Sequence, residues 1–270
     1  MVGIRVWLAA VAMVLGLAAG APAFAQQAER EPRPLDEHPQ GYLQGDEITY
    51  LAYLAAPPAE GSAQDQLDIG AVKTLQAGVT EDRWKQAQAD ALYLFPQFEA
   101  AFGAPIDRQH APHLVHLLNE ALRDVSWPTN AGKGYFARAR PYQRLQLARV
   151  CAETAGPQLP PDPTDHSSYP SGHAAAGWTT ALVLAQVAPD NAQAILARAD
   201  DYALSRIICG DHFPTDVQAS RMLAAAVVAR EATVPAFQRD LACAIGEHAG
   251  ETSAACGPAA TRPPRRRSAR

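Results

Sequence analysis

The sequence predicts an all-α protein. Apolar residues recur at helical spacing in several long segments, alanine-rich runs of good helix formers fill the second half, and β-branched runs and period-two alternation are scarce throughout. No repeat of fixed period and no linker divides the middle of the 270-residue chain. A single-domain helical bundle over 41–245 is therefore expected.

The two ends read differently. Arg5 precedes the apolar run Val6 to Ala19, and Ala23-Phe24-Ala25 has the small-x-small form of a signal-peptidase site, so 1–25 reads as a signal peptide and the mature chain starts near Gln26. That run is short of the roughly 20 apolar residues a membrane span needs. Later, even Ala174 to Ala188 is interrupted by Thr179, Thr180 and Gln186, so no membrane span is expected in the mature protein, and its location is periplasmic or secreted. Residues 26–40 are charged and proline-rich, an extended arm. Residues 246–270 end in TRPPRRRSAR, a basic, disordered, solvated tail.

Net charge is −5 with neutral histidines, and loss of Arg5 with the leader makes the mature chain more acidic still, which argues against nucleic acid as a partner. All four cysteines, Cys151, Cys209, Cys243 and Cys256, follow the leader, and an exported chain meets an oxidising compartment, so two disulfides are expected. Three connectivities exist; Cys243 with Cys256 closes a short C-terminal loop and leaves Cys151 with Cys209. No CxxC pair is present to build a zinc site.

Taken in order, Asp46 to Ala55 is a brief apolar patch before the Pro57-Pro58 break. Leu67, Ile69, Val72 and Leu75 mark a helix over Gln64 to Ala77, ended by Gly78. Thr80 to Phe102 opens with Thr80-Glu81-Asp82-Arg83, resembling a capping box, and Pro96 kinks or divides it. Pro112 to Ser126 sets Leu114, Val115, Leu117, Leu118, Leu122 and Val125 on one broad face, with Trp127-Pro128 as its stop. Ala174 to Val187, Ala192 to Ile208 and Pro214 to Ala232 complete the helices.

Chemistry concentrates in Ser205 to Asp216, SRIICGDHFPTD, where Arg206 is followed by His212 and then by Asp216 four residues on. A carboxylate that accepts one ring N–H fixes the imidazole tautomer and leaves the other nitrogen free to attack, so His212 is the candidate nucleophile and Asp216 its partner. His173, in the turn Pro170-Ser171-Gly172-His173 at a helix start, is the candidate acid and base. Ser171 suits an N-cap, and Gly172 lets backbone approach an anion. Lys133, Arg140 and Arg206 supply fixed cations of the kind that a spreading phosphoryl charge requires. The set describes a phosphate site.

In these three blocks, Lys133-(six residues)-Arg140-Pro141, Pro170-Ser171-Gly172-His173 and Ser205-Arg206-(five residues)-His212-(three residues)-Asp216, the chain resembles the phosphatidic-acid-phosphatase type 2 and vanadium haloperoxidase superfamily. Its wording is most similar to the class A bacterial non-specific acid phosphatases, over about Tyr50 to Arg230. The resemblance implies an all-helical exported phosphatase that hydrolyses phosphomonoesters through a phosphohistidine, needs no cofactor and is inhibited by vanadate. It puts Lys133, Arg140, Arg206, Ser171 and Gly172 on the phosphate, His173 as acid and base, His212 as nucleophile and Asp216 as its partner. Two positions depart from the family pattern: Ala174 stands where threonine is common, and Asp211 replaces a small residue.

A vanadate-dependent haloperoxidase shares the anion cage but has a much longer chain, and a nucleotide pyrophosphatase or phosphotransferase would use the same site. A metal site on His110, His113 and His116, or around Asp165-His166, lacks cysteine or carboxylate partners beside the three histidines, and Pro112 interrupts their spacing. An amphipathic helical surface would allow a homodimer.

Overall fold

The computed structural model describes residues 41–44, 49–92, 94–147, 149–151, 166–251 and 256–257. The expected signal peptide, the arm at 26–40, the arginine-rich end and Asp165 lie outside them. Ten α-helices and two short 3₁₀ turns make up the secondary structure of the described residues, with no strand among them, as an all-α sequence pattern requires.

The helices are α1 (Tyr50–Tyr53), α2 (Ala63–Gly78), α3 (Glu81–Leu92), α4 (Glu99–Phe102), α5 (Pro112–Phe136), α6 (Pro141–Arg144), α7 (Gly172–Val187), α8 (Ala192–Ile208), α9 (Pro214–Glu231) and α10 (Pro235–His248). Helix α7 is the axis. Its run GHAAAGWTTALVLAQV is small and apolar on nearly every side, and it packs against α5, α8 and α9. Phe98, Phe102, Leu114, Leu117, Leu118, Leu184, Ile195, Tyr202 and Phe237 form the largest buried cluster around it. Phe237 and Ala244 come from α10, a helix the sequence reading did not name.

Two expected boundaries shift for physical reasons. Thr80 to Phe102 divides near Pro96: α3 stops at Leu92, Pro96 sits in a 3₁₀ turn over Phe95–Gln97, and α4 follows. Trp127-Pro128, by contrast, does not stop α5, which runs on to Phe136 with Pro128 inside it. An interior proline costs a helix about 3 kcal/mol. Beyond it, Pro128, Thr129, Gly132 and Phe136 are all buried, and burial of a phenylalanine alone contributes about 2 kcal/mol. The Thr129 hydroxyl adds a 2.7 Å bond to the Val125 carbonyl. Tertiary burial therefore outweighs the local signal, and the extra turns carry Lys133 into the site.

Both disulfides pair as the spacing suggests, Cys151 with Cys209 and Cys243 with Cys256. The first closes 58 residues of sequence and the second only 13. On loop-closure entropy alone they contribute about 4 and about 3 kcal/mol. No helix among the described residues is long and apolar enough to cross a membrane.

A pair of buried acids ties the first described residues to the bundle. Asp124 on α5 accepts the amides of Gly41 at 3.0 Å, Tyr42 at 2.7 Å and Leu43 at 3.2 Å. Glu231, at the end of α9, is fully buried and interacts with Asp124. Among the described residues no N–H or O–H group donates to Glu231, so a proton held between the two carboxyls is what lets them sit together. Burial first, and then the Asp124 charge, pushes Glu231 up from 4.5 to about 9. Over that interval the folded protein keeps a proton that the unfolded chain releases, so this pair's contribution weakens as pH rises. Glu231→Gln should flatten that dependence: denaturant unfolding at about pH 5 and about pH 8 is expected to show a smaller loss of stability than wild type. An equal loss would contradict the pairing.

Candidate active site

A cavity of about 450 Å³ opens beside the N-terminal end of α7. Its polar lining includes Lys133 from the last turn of α5, Arg140 just before α6, Gly172 and His173 from the first turn of α7, and His212 between α8 and α9. Each arrives by a local device. Ala137 ends α5 in the left-handed region at φ 47°, its amide bonded back to the Lys133 carbonyl, and so turns the chain toward Arg138 and Arg140. Gly210, at φ +74°, turns the end of α8 back toward His212; a Cβ there would lie 2.4 Å from Leu147. Cys209, tied to Cys151, immediately precedes that glycine.

His212 is almost wholly buried. Its Nδ1–H donates to the Ser168 carbonyl at 2.7 Å, which leaves Nε2 as the lone-pair nitrogen, 3.3 Å from Nη1 of Arg140. Asp216, expected as the acceptor of that ring N–H, lies 3.8 Å from Nδ1. Its carboxylate instead accepts from Arg138 Nη1 at 2.6 Å, from the Ser168 hydroxyl at 2.6 Å and from the Phe213 amide at 2.7 Å. The Phe213 bond caps the first turn of α9. Asp216 therefore reaches His212 mainly through Ser168, whose hydroxyl it holds and whose carbonyl holds the ring.

Burial, then the charges of Arg140 and Lys133, hold the His212 imidazole well below its ordinary 6.5. The ring is neutral in mildly acidic water. Burial pushes the Asp216 carboxyl up, against the pull of Arg138, Ser168 and the Phe213 amide. His173 places Nε2 3.3 Å from the Ala91 carbonyl on the opposite wall.

The cations are held from behind. Lys133 donates to the Ser167 carbonyl, and Arg140 Nη2 donates to the Ser167 hydroxyl at 3.0 Å. Arg206 and Ser171 do not line the cavity. Arg206 lies fully buried, with Nη2 donating to the Ala87 carbonyl at 2.7 Å and, among the described residues, no hydrogen-bond partner for its Nε and Nη1. Ser171 caps α7, accepting the Ala174 amide at 3.3 Å. A Cβ on Gly172 would meet the Lys133 side chain at 3.7 Å, an ordinary contact, so packing alone does not demand glycine there.

Sequence reading missed several contributors. Arg138 bridges Asp216 and, at 2.9 Å, the buried Asp68, and its guanidinium stacks 4.3 Å over the Phe213 ring. Its signal was faint, a third cation two residues before Arg140. Ser167 and Ser168 stand directly ahead of the Pro170 turn, but their roles run largely through backbone carbonyls, which no residue type announces. Tyr202 on α8 forms the wall beside His173 and packs so closely on α7 that a Cβ at Gly177 would lie 2.6 Å from its ring. Burial raises its phenol to about 12.

His110, His113 and His116 are spread over separate pairs: His110 with Asp107 at 2.8 Å, His116 with Asp240 at 3.3 Å, and the His113 backbone with Glu247. Among the described residues no three His, Cys, Asp or Glu side chains gather as a metal site.

The geometry has relatives. The non-specific acid phosphatase of Providencia stuartii is 34% identical over 214 residues, 77% of this chain and 84% of that one. The family model of the PAP2 superfamily matches residues 114–239, from α5 to α10. The chain belongs to the PAP2 superfamily. Two further relatives of this PAP2 protein are the acid phosphatase of Zymomonas mobilis, 34% identical over 204 residues (73% of this chain, 74% of the relative), and the non-specific acid phosphatase of Salmonella typhimurium, 33% identical over 195 residues (70% and 76%).

Ser168→Ala keeps the carbonyl that orients His212 and removes the hydroxyl that Asp216 accepts. Loss of that buried donor should lower unfolding stability by about 1–3 kcal/mol in denaturant titrations. No measurable loss would show that the hydroxyl is dispensable to Asp216.

Proposed function

We propose that this PAP2 protein is an exported acid phosphatase that hydrolyses phosphomonoesters through a phosphohistidine on His212, without a metal ion. The observation that carries the reading is the neutral, buried imidazole of His212: one nitrogen fixed by Ser168, the other facing a cavity shared with Lys133, Arg140, Gly172 and His173. The names of its relatives support the activity, and two disulfides support an oxidising compartment.

The steps follow from the groups. The phosphoryl oxygens take N–H donors from Lys133, Arg140 and the first-turn amides of α7, with Ser171 setting that turn and the buried Arg206 adding its charge from behind the cavity wall. These three cations supply the charge stabilisation that a metal ion gives elsewhere. The Nε2 lone pair of His212 attacks phosphorus, the bond to the leaving oxygen breaks, and His173 gives that oxygen a proton. Water then attacks the phosphorus of the phosphohistidine, His173 takes the water's proton, and the P–N bond breaks to release inorganic phosphate. Asp216 holds Ser168 and stabilises the imidazolium that forms.

Loss of the acid and base should trap the intermediate. Intact-protein mass spectrometry of His173→Ala after mixing with an aryl phosphate is expected to show a phosphoryl-sized increment that His212→Ala lacks. Absence of the increment from both, with wild type active, would overturn the covalent route.

The depressed pKa of His212 also sets a pH expectation. The nucleophile must be neutral, and burial with two nearby cations keeps it so below 6.5. The acid limb of kcat/KM should therefore lie below the ordinary imidazole value, read with an aryl phosphate across the acidic range. A limb at or above that value would contradict a depressed nucleophile.

A further inference from the structure

The cavity is larger than a phosphoryl group requires, and the remainder of it must receive what the phosphoryl is attached to. At about 450 Å³ it falls within the roughly 300–1,000 Å³ of sites that enclose a whole small molecule. In the scheme above His173 protonates the leaving oxygen, so the leaving alcohol lies on the His173 side. His173 Nε2 stands 3.3 Å from the Ala91 carbonyl, and Leu92, the next residue and the last of α3, lines the same cavity. Leu94, Val125 and Ala176 line it as well. Leu92 is 41% exposed and packs against none of the buried apolar clusters. Of the large apolar side chains exposed among the described residues, it is the one that lines this cavity. A lone exposed leucine is ordinary, but this one continues an apolar lining.

Polar groups along that lining offer little to a hydroxylated alcohol. The Ser126 hydroxyl donates to the Leu122 carbonyl at 2.5 Å and the Thr129 hydroxyl to the Val125 carbonyl at 2.7 Å, so both protons are committed within α5. Asn130, exposed, is the one carboxamide in the lining, and among the described residues no carboxylate borders the cavity. A polyol would give up water at several hydroxyls for few partners, whereas an apolar alcohol gives up none and covers Leu92.

We propose that Leu92 is a specificity-determining residue that selects phosphomonoesters of apolar alcohols, alkyl or aryl, over those of polyols and sugars. The proposal rests on the phosphatase reading and on His173 as the acid. The contact with Leu92 is made by the part of the alcohol away from the breaking P–O bond, so it is the same in bound ester and transition state. Selection therefore falls on KM rather than on kcat.

The test compares n-butyl phosphate with glycerol phosphate, which both release an alkoxide and differ mainly in the hydroxyls they carry to the wall. Wild type should show the lower KM for the butyl ester. Leu92→Ser should raise that KM by about fivefold, the scale of losing contact with the exposed part of one leucine, and shift the glycerol phosphate KM by less than about twofold. Leu92→Met should restore the preference. No preference in wild type, or equal changes for the two esters in Leu92→Ser, would overturn the proposal. A second readout needs no turnover. Butylphosphonate, whose P–C bond is not hydrolysed, should raise the melting temperature of wild type more than methylphosphonate does, and Leu92→Ser should lose that difference. Failure to phosphorylate His212, with the phosphonate difference intact, would remove the covalent route and keep the role of Leu92. A phosphorylated His212 with no such difference would do the reverse.

Discussion

The active-site end of the structure depends on what converges on Asp216. Its carboxylate, fully buried, receives Arg138 from just past α5, the Ser168 hydroxyl from the segment before α7, and the Phe213 amide at the start of α9. Those segments carry Arg140, the Ser171–His173 turn and His212. Breaking a buried pair by removing one partner costs about 3–5 kcal/mol. The network extends outward. Arg138 reaches Asp68, and Arg144 forms a bidentate pair with the buried Asp65 at 2.7 and 2.8 Å. Arg138 and Arg144 also lie over the ring of Phe213, the residue next to His212.

This arrangement resolves a conflict in the site. Three cations favour a bound anion, yet the same field opposes protonation of an imidazole among them. Burial adds to that opposition, and the outcome is a ring that stays neutral, as the proposed nucleophile must be. The Asp216 carboxylate is kept off the ring, 3.8 Å from Nδ1, with the Ser168 carbonyl, a weaker dipole, orienting the ring instead.

Much of this was legible in the sequence, because the informative residues act through side-chain type at local spacing. The helices over Ala63–Gly78, Gly172–Val187, Ala192–Ile208 and Pro214–Glu231 follow from period and alanine content, and both disulfides follow from cysteine spacing. Of the eight residues the motifs singled out, Lys133, Arg140, Gly172, His173 and His212 meet around one cavity, while Arg206 and Ser171 stand behind it and Asp216 beneath. What could not be read depends on distant partners. The stop at Pro128 was overruled by burial of Phe136 against Tyr169, 5.0 Å away ring to ring. The Asp68–Arg138 pair joins positions 70 residues apart, and the Ser168 carbonyl acts through backbone.

The close seam between Gly177 and Tyr202 bears on how this pocket can diversify. The Tyr202 ring is at once a wall of the cavity and a member of the main core, and α7 approaches it without room for a single methyl group. Enlarging the site on that side would open the seam between α7 and α8. The opposite rim, with the partly exposed Leu92, Leu94, Ser126 and Asn130, carries no such obligation. Divergence in the range of leaving groups is therefore channelled to that rim, and the buried wall stays as a fixed reference against which new substrates are fitted.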